Sequence, residues 1–301
     1  MVLKYFGIAP LSKYDGPLNR LVVYFQGCDI KCSWCHSPHS IPESSPLLFF
    51  AERCISCRKC VKACPNDVHS FVSGKHILNR ANCTKCGLCV DTCPKSSANI
   101  SASALILPTK GLSAQELFTK IEPYLALCDG ITLSGGEALI QLDEILEFLK
   151  ILKQNGVNIA VETSGLLLTR TYELVLDYVD IWLFGVRMLT DVDGKSNKNI
   201  LLRNLHLLNQ VQENMIIPRV PMVPGVFDNE KILFEIVQLL RSVEINKVWL
   251  LPWNMNYMVY YIAAGIGTRF IEPTRSEVNL CESFILNFFV EKGFDIIGSG
   301  I

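Results

Sequence analysis

Six β-rich runs alternating with five amphipathic helical stretches predict an α/β fold. The expected architecture is a partial, open TIM-type barrel of about six parallel strands, interrupted by one small cysteine-rich insert. The strand candidates are 20–26, 130–134, 157–162, 180–186, 215–220 and 247–251. Helix-like stretches fall between them at 114–127, 142–154, 170–178, 199–210 and 229–241. In the last of these, Ile232, Leu233, Ile236, Val237, Leu239 and Leu240 make one broad apolar face. Ser113 stands where an N-cap belongs, and Glu116 three residues on completes a capping box. Setting residues 49–99 aside leaves about 250 of the 301, the ordinary size of a (β/α) barrel. Because six strands are fewer than eight, the barrel is expected to stay open. The expected domains are therefore 1–48 with 100–301 as the barrel and 49–99 as the insert, with 96–104 as the linker out of it.

Composition narrows the function classes. With 28 basic and 29 acidic side chains the formal net charge is -1, which gives no global field for nucleic acid or anionic lipid. No run of 18 uninterrupted apolar residues exists to span a membrane, and residues 1–13 lack the pattern of a secretory signal. A cytoplasmic protein is expected. The cysteines are the abnormal feature: 13 in all, 11 of them between Cys28 and Cys93. In a long chain without an export signal, such close spacing reads as metal ligation rather than a disulfide framework.

The first group is Gly27-Cys28-Asp29-Ile30-Lys31-Cys32-Ser33-Trp34-Cys35-His36, directly after the first predicted strand, where a barrel carries its active-site loops. Three thiolates cannot ligate every iron of a [4Fe-4S] cube. They leave one iron open, and an open position marks chemistry rather than scaffolding. The plain alternative is a structural zinc with His36 or His39 as fourth ligand.

The insert is more specific. Cys54-x2-Cys57-x2-Cys60-x3-Cys64-Pro65 and Cys83-x2-Cys86-x2-Cys89-x3-Cys93-Pro94 are two copies of the bacterial ferredoxin run, in which the fourth cysteine ligates the other cluster. Cys54, Cys57, Cys60 and Cys93 are expected to hold one [4Fe-4S] cluster, and Cys64, Cys83, Cys86 and Cys89 the second. Zinc is the rival, but its sites need no Pro after each run. The insert carries eight basic against three acidic residues, charge that offsets anionic clusters, docks an acidic electron donor, or is simply a solvated face. Two closed clusters beside an open one suggest an electron path.

The Cys-x3-Cys-x2-Cys spacing, with Trp34 just before the third cysteine, resembles the signature of radical S-adenosylmethionine (SAM) enzymes. Ser134-Gly135-Gly136-Glu137, at the end of the second predicted strand, is similar to that family's GGE motif, where glycines admit close backbone approach and a carboxylate pairs with an ammonium. From about residue 5 to about residue 298 the chain resembles one branch, the ferredoxin-containing activating enzymes of glycyl radical enzymes. The words that carry this are Tyr14-Asp15-Gly16-Pro17, Phe25-Gln26-Gly27-Cys28, Trp34-Cys35-His36-Ser37-Pro38, Glu162-Thr163-Ser164-Gly165, Arg219-Val220-Pro221 with Pro224-Gly225, and Leu251-Pro252-Trp253.

The resemblance implies a barrel of the radical SAM type and three [4Fe-4S] clusters. It also implies reductive cleavage of SAM to methionine and a 5′-deoxyadenosyl radical, which takes hydrogen from a backbone glycine of a large partner enzyme. A low-potential donor of the flavodoxin or ferredoxin class would supply electrons, under anaerobic conditions. Cys28, Cys32 and Cys35 would ligate the SAM cluster. Gly135, Gly136 and Glu137 would meet the methionine ammonium and Trp34 would pack near the adenine. Glu162, Arg187 and Arg219 complete the implied SAM contacts, with the SAM carboxylate as the group for Arg219. Asp15 and Asn254 would face the partner's glycine loop. Simpler readings are a strand-end charge for Arg219 and core packing for Trp34.

Three positions depart from the family. Gly185-Val186-Arg187 stands where Asp-x-Lys is usual, which removes a carboxylate and puts a monovalent cation site in doubt. Asn254 stands for a common His and Leu18 for a common Gly. Two rival functions follow: a radical SAM enzyme acting on a small molecule or peptide, and an electron-transfer iron-sulfur protein whose SAM site no longer works. Cys128 and Cys281 read as buried small hydrophobes, and His69, His76 and His206 belong to no pattern.

Overall fold

The computed structural model describes residues 2–96, 102–190, 194–211 and 215–298. Most of the expected 96–104 linker lies outside the described residues. The chain begins with β1 (Leu3–Ser12) and β2 (Arg20–Phe25), then enters the cysteine-rich segment: β3 (Leu48–Phe49), α1 (Lys59–Ala63), β4 (His69–Val72), β5 (Lys75–Leu78), α2 (Leu88–Asp91) and β6 (Leu105–Ile106). It resumes through β7 (Lys110–Leu112), α3 (Ala114–Leu125), β8 (Gly130–Gly135), α4 (Leu142–Gln154), β9 (Ile159–Thr163) and α5 (Thr169–Val175). Then follow β10 (Ile181–Gly185), α6 (Lys198–Asn209), β11 (Met215–Pro221), α7 (Glu230–Arg241) and β12 (Lys247–Leu251). The last elements are α8 (Tyr257–Ala264), α9 (Arg275–Glu291) and β13 (Asp295–Gly298).

The main sheet has nine strands in the order β13-β12-β11-β10-β9-β8-β2-β1-β7. All six expected strands are present and adjacent, each parallel to its neighbour. The sheet is wider than expected because β13 adds a parallel edge strand, while β1 and β7 add antiparallel strands at the other edge. Among the described residues the two edges do not pair, so the sheet is open.

Near-continuous apolar runs make these strands, as a sheet covered on both faces requires. Every residue of β10 is buried. The helices cover one face through apolar stripes at helical spacing, such as Ile145, Phe148, Leu149 and Leu152 of α4. The other face holds a smaller cluster of Ala160, Ile181, Leu183, Ile217 and Trp249. Side chains alternate along a strand, so Glu162 and Arg219, two residues beyond Ala160 and Ile217, lie on that same face at the C-terminal ends. The capping box forms as expected: the Ser113 hydroxyl accepts from Glu116 N–H, and the Glu116 carboxylate accepts from Ser113 N–H at 2.8 Å.

The cysteine-rich segment is fastened to the sheet domain by α8. Leu48, Phe50 and Ile106 pack on Ala263 and Ala264 of that helix. Arg80 donates to the Ala263 carbonyl at 2.6 Å and to the Leu47 carbonyl. Replacing Arg80 by Met is expected to loosen the segment by about 2 kcal/mol, the scale of a hydrogen bond to a charged group. Limited proteolysis checks this: nicking within 51–96 should accelerate, and an unchanged rate would mean that the apolar seam alone holds the segment.

Candidate functional site

The C-terminal ends of the six central strands surround a cavity of ≈ 880 Å³. Its lining includes Cys28, Cys32 and Cys35 from the loop after β2, Ser134 and Gly135 at the end of β8 with Gly136 beyond it, and Glu162 and Thr163 at the end of β9 with Ser164 beyond it. Arg187, Arg219, Trp249 and Asn254 come from the next three strands and their extensions. Asp15 and Trp34 also line it. The structure thus gathers at one mouth all but one of the residues expected to contact SAM, its cluster or the partner, while the eight insert cysteines lie elsewhere. Glu137 is the exception: it is buried behind the lining.

The three-cysteine loop is fixed from both sides. Buried Gln26 donates through its amide to the carbonyls of His39 at 2.9 Å and Pro42 at 2.6 Å, while its side-chain oxygen accepts from Thr109. Gly27 N–H and Cys28 N–H donate to the carbonyls of Ser40 and Ile41, at 2.8 and 3.0 Å. On the far side the Tyr257 and Tyr261 hydroxyls, both on α8, reach the Ser33 carbonyl at 3.0 and 3.4 Å. These two tyrosines are site-supporting residues that the sequence reading missed. His39 packs between Phe6 and Tyr260, with ring centroids at 5.0 and 4.5 Å.

Gly135 and Gly136 have a steric reason. Gly136 N–H donates to the Phe25 carbonyl at 2.9 Å and Glu137 N–H to the Gly27 carbonyl at 2.8 Å. A Cβ at Gly135 would collide with the β2 backbone at Phe25, and one at Gly136 with the backbone of Gly27 just beyond it; Gly135 also adopts a positive φ of 115°. The glycines therefore let the end of β8 cross directly over the start of the cysteine loop.

Glu137 turns inward. Its Oε2 accepts from Ser164 N–H at 2.7 Å and from the Thr163 hydroxyl at 3.1 Å, and its Oε1 has no partner. Burial pushes its carboxyl up to about 7, against the hydrogen bonds from Ser164 and Thr163. Glu162 is the opposite case. Burial would raise it, but the Arg219 and Arg187 guanidiniums override that and hold it at about 2. Its Oε2 lies 3.2 Å from Arg219 Nη1 and accepts from the Ser134 hydroxyl at 2.7 Å, while its Oε1 pairs with Arg187. Arg219 also donates to the Tyr14 carbonyl at 2.8 Å and lies over the Trp249 ring. The Gly185 departure has a physical account here: a Cβ at 185 would strike Arg187 Nε, so the guanidinium fills the space of the missing side chain. Nε of both arginines is buried without a partner.

Around the rim, Asp15 accepts from Ser12 and Tyr24, and burial followed by the nearby Glu162 charge raises its carboxyl. Trp34 stands edge-on to Phe227 at 5.7 Å. The Asn254 side chain accepts from Asn256 N–H at 2.9 Å at the start of α8.

All thirteen cysteines are free thiols. Burial raises Cys28 to about 12 and Cys32 to about 11, so metal loading must displace their protons. The donor chemistry fits iron–sulfur clusters at each group. In the insert, a small cavity is lined by Cys64, Cys83, Cys86 and Cys89, the crossed set expected for the second cluster. The two runs repeat each other in backbone: Ser56 and Arg58 have positive φ, and so do Lys85 and Gly87, at matching places after Cys54 and Cys83. Alternation of hand turns successive peptide N–H groups into one concavity, a geometry that receives anions and Fe–S sites. Cys281 is buried in α9, while half-buried Cys128 donates to the Pro10 carbonyl at 3.0 Å.

Three thiols facing a cavity of this kind are a donor set suited to an iron–sulfur cluster with one open iron, the arrangement expected of radical SAM enzymes rather than of simple electron carriers. Residues 53–98 match the family described as a 4Fe-4S dicluster domain. The choline trimethylamine-lyase activating enzyme of Oleidesulfovibrio alaskensis is 34% identical over 265 residues, covering 83% of this chain and 83% of that protein. The trans-4-hydroxy-L-proline dehydratase activating enzyme of Clostridioides difficile is 32% identical over 255 residues, covering 81% and 82%. A solved domain of a pyruvate-formate lyase-activating enzyme from Bacteroides vulgatus superposes at a TM-score of 0.40 with 22% identity, covering 57% of this chain and 99% of that one, too loosely to add weight. The chain belongs to the activating enzymes of glycyl radical enzymes.

Glu162 generates a prediction with a defined sign. Its folded pKa of about 2 lies below the ordinary 4.5, so its contribution to stability is present above pH 4.5 and is lost as pH falls toward 2. Glu162→Gln is expected to flatten that acid limb. It should also cost about 3 kcal/mol at neutral pH, because two guanidiniums lose their shared carboxylate. Urea unfolding at several pH values, followed by circular dichroism, checks both.

Proposed function

We propose that the cavity binds SAM over a [4Fe-4S] cluster held by Cys28, Cys32 and Cys35, and that residues 49–99 form an insert with two further clusters that feed it electrons. The sheet is read as a partial barrel formed by 1–48 with 100–301, its mouth being the cavity rim. The observation that carries this reading is the convergence of the three thiols, Gly135, Gly136, Glu162 and Arg219 on one cavity from four chain-distant segments. Held there by Cys28, Cys32 and Cys35, a reduced cluster would supply the electron for reductive cleavage of SAM to methionine and a 5′-deoxyadenosyl radical, the chemistry needed to take hydrogen from a backbone glycine of a large glycyl radical enzyme.

The chain's own residues bind and orient. Arg219, held by Glu162 and Tyr14, is aimed at the SAM carboxylate, and Trp34 forms the apolar wall for the adenine. Gly135 and Gly136 present backbone to the methionine end, with the carboxylate of Ser134-bound Glu162 beside them as partner for the ammonium. Glu137 acts from behind, holding Ser164 and Thr163 in the lining. Asp15 and Asn254, on the open rim, face the incoming glycine loop. Arg187 gives the mouth a fixed positive charge where the family pattern has a carboxylate and lysine. A low-potential flavodoxin or ferredoxin, in an anaerobic cytoplasm, is the proposed source of electrons.

Anaerobic reconstitution with iron and sulfide, reduction and addition of SAM tests the assignment. About twelve irons are expected for three clusters. Both 5′-deoxyadenosine and methionine should form, and Cys32→Ala should abolish both while keeping roughly eight irons. Cleavage that survives Cys32→Ala would sink the site. Cys57→Ala should leave SAM binding intact and slow cluster reduction by a protein donor; loss of SAM binding instead would make the insert structural rather than an electron path.

A further inference from the structure

Two histidines that no sequence pattern explains meet over the first ferredoxin run. His69 and His76 lie on the hairpin of β4 and β5, which links the two cysteine runs. His69 Nδ1 is 2.9 Å from His76 Nε2, which also lies 3.7 Å from Cys60 Sγ, and the other His76 nitrogen, Nδ1, is 3.6 Å from Cys54 Sγ. The His76 ring is clamped: Phe71 stacks on it at 4.6 Å and 9°, and Phe49 meets it edge-on at 4.5 Å. His69 is buried, and its Nε2 has no partner. His69 also lines the small cavity enclosed by Cys64, Cys83, Cys86 and Cys89.

Tautomers follow from the far end of this chain. A cluster-bound thiolate carries no proton and only accepts, so a neutral His76 donates either to Cys54 through Nδ1–H or toward Cys60 through Nε2–H; the second form would leave the His69 proton on Nε2, buried without an acceptor, so Nδ1–H facing Cys54 is the satisfied arrangement. A neutral imidazole then leaves Nε2 as acceptor, and His69 Nδ1–H fills it. The lone pair that remains on His69 Nε2 is consistent with its lack of a partner.

We propose that His69 and His76 form a directed hydrogen-bond relay onto the Cys54 thiolate, which makes the cluster of Cys54, Cys57, Cys60 and Cys93 easier to reduce than its twin and so sets the order of electron flow through the insert. Hydrogen bonds to cluster sulfurs withdraw electron density and raise the reduction potential. Among the described residues no ring N–H reaches a cysteine of the second set. The two cluster sites, alike in backbone, are therefore made unequal by one imidazole pair. The proposal rests on the assignment of the eight insert cysteines to two clusters.

The test is an EPR-monitored redox titration of the reconstituted full chain, with iron and zinc counted on the same samples. His76→Phe removes the donor and keeps an aromatic ring against Phe71. One insert cluster should then become harder to reduce by at least tenfold in equilibrium constant, about 59 mV for one electron, with the other two unmoved. His76→Gln, which keeps an N–H, should restore part of the shift. An unchanged potential at full iron content overturns the relay. If His76→Phe loses a cluster, His69→Leu decides, since it leaves His76 in place: a smaller shift of the same sign supports the relay and no shift overturns it. Stoichiometric zinc in the wild type would overturn it too, assigning Cys60, His69 and His76 to a separate metal. Wild type with iron for fewer than three clusters would instead fail the underlying cluster assignment.

Discussion

One carboxylate organises the mouth of the sheet. Glu162, on β9, takes a hydrogen bond from Ser134 on β8 and ion pairs from Arg187 after β10 and Arg219 on β11. Four neighbouring strand ends are tied through a single side chain. Each of these groups would be costly in the half-buried mouth alone, and each is tolerable because the others are there. The crossing of Gly136 over Gly27 adds the fifth member, since it brings the cysteine loop against the same rim. Side-chain geometry in the cavity therefore follows from the backbone register of adjacent parallel strands, which is a rigid quantity.

The second dependence runs through α8. Its tyrosines hold Ser33 in the three-cysteine loop, and its C-terminal turn receives Arg80 and the apolar seam of the insert. One short helix thus contacts both the loop expected to carry the catalytic cluster and the segment expected to carry the accessory pair. Electron transfer depends on a fixed spacing between centres, and a shared rigid support gives that spacing without a large interface. The arrangement also explains why the insert needs so little core of its own: the apolar contacts at Leu48, Phe50 and Ile106 are completed by α8.

Much of this was legible in the sequence, for identifiable reasons. Parallel strands buried on both faces are near-continuous apolar runs, so the expected strand 247–251 matches Lys247–Leu251, and an apolar stripe at helical spacing makes the expected helix 142–154 match Leu142–Gln154. Cysteine spacing encodes cluster ligation directly, and the cavity at Cys64, Cys83, Cys86 and Cys89 has the crossed composition expected of it. What escaped lacked a period. α8 reads Tyr-Met-Val-Tyr-Tyr-Ile-Ala-Ala, apolar all round, with no amphipathic stripe to mark it. β1 carries Gly7 and Pro10, which break a strand pattern, and β7 and β13 are short. The direction of Glu137 was also beyond reach, because its donors, Thr163 and Ser164, sit on another strand. The histidine pair has the same character: seven residues apart, it becomes a pair only when the hairpin folds.

Gly185 and Arg187 show how two apparent departures can be one feature. Taken singly, loss of a carboxylate and replacement of a lysine each weaken a site. In space they are coupled, since the guanidinium occupies the room that a side chain at 185 would need. Two guanidiniums then share one carboxylate, so this triad keeps one positive charge in excess, held covalently in the chain. An anionic group entering the cavity meets that charge already in place, with buried Nε atoms on both arginines still unpartnered. A fixed guanidinium gives direction as well as charge, because its planar fork is set by Glu162 before any ligand arrives. The electrostatics of the mouth are thereby built into strand β10 and its neighbours.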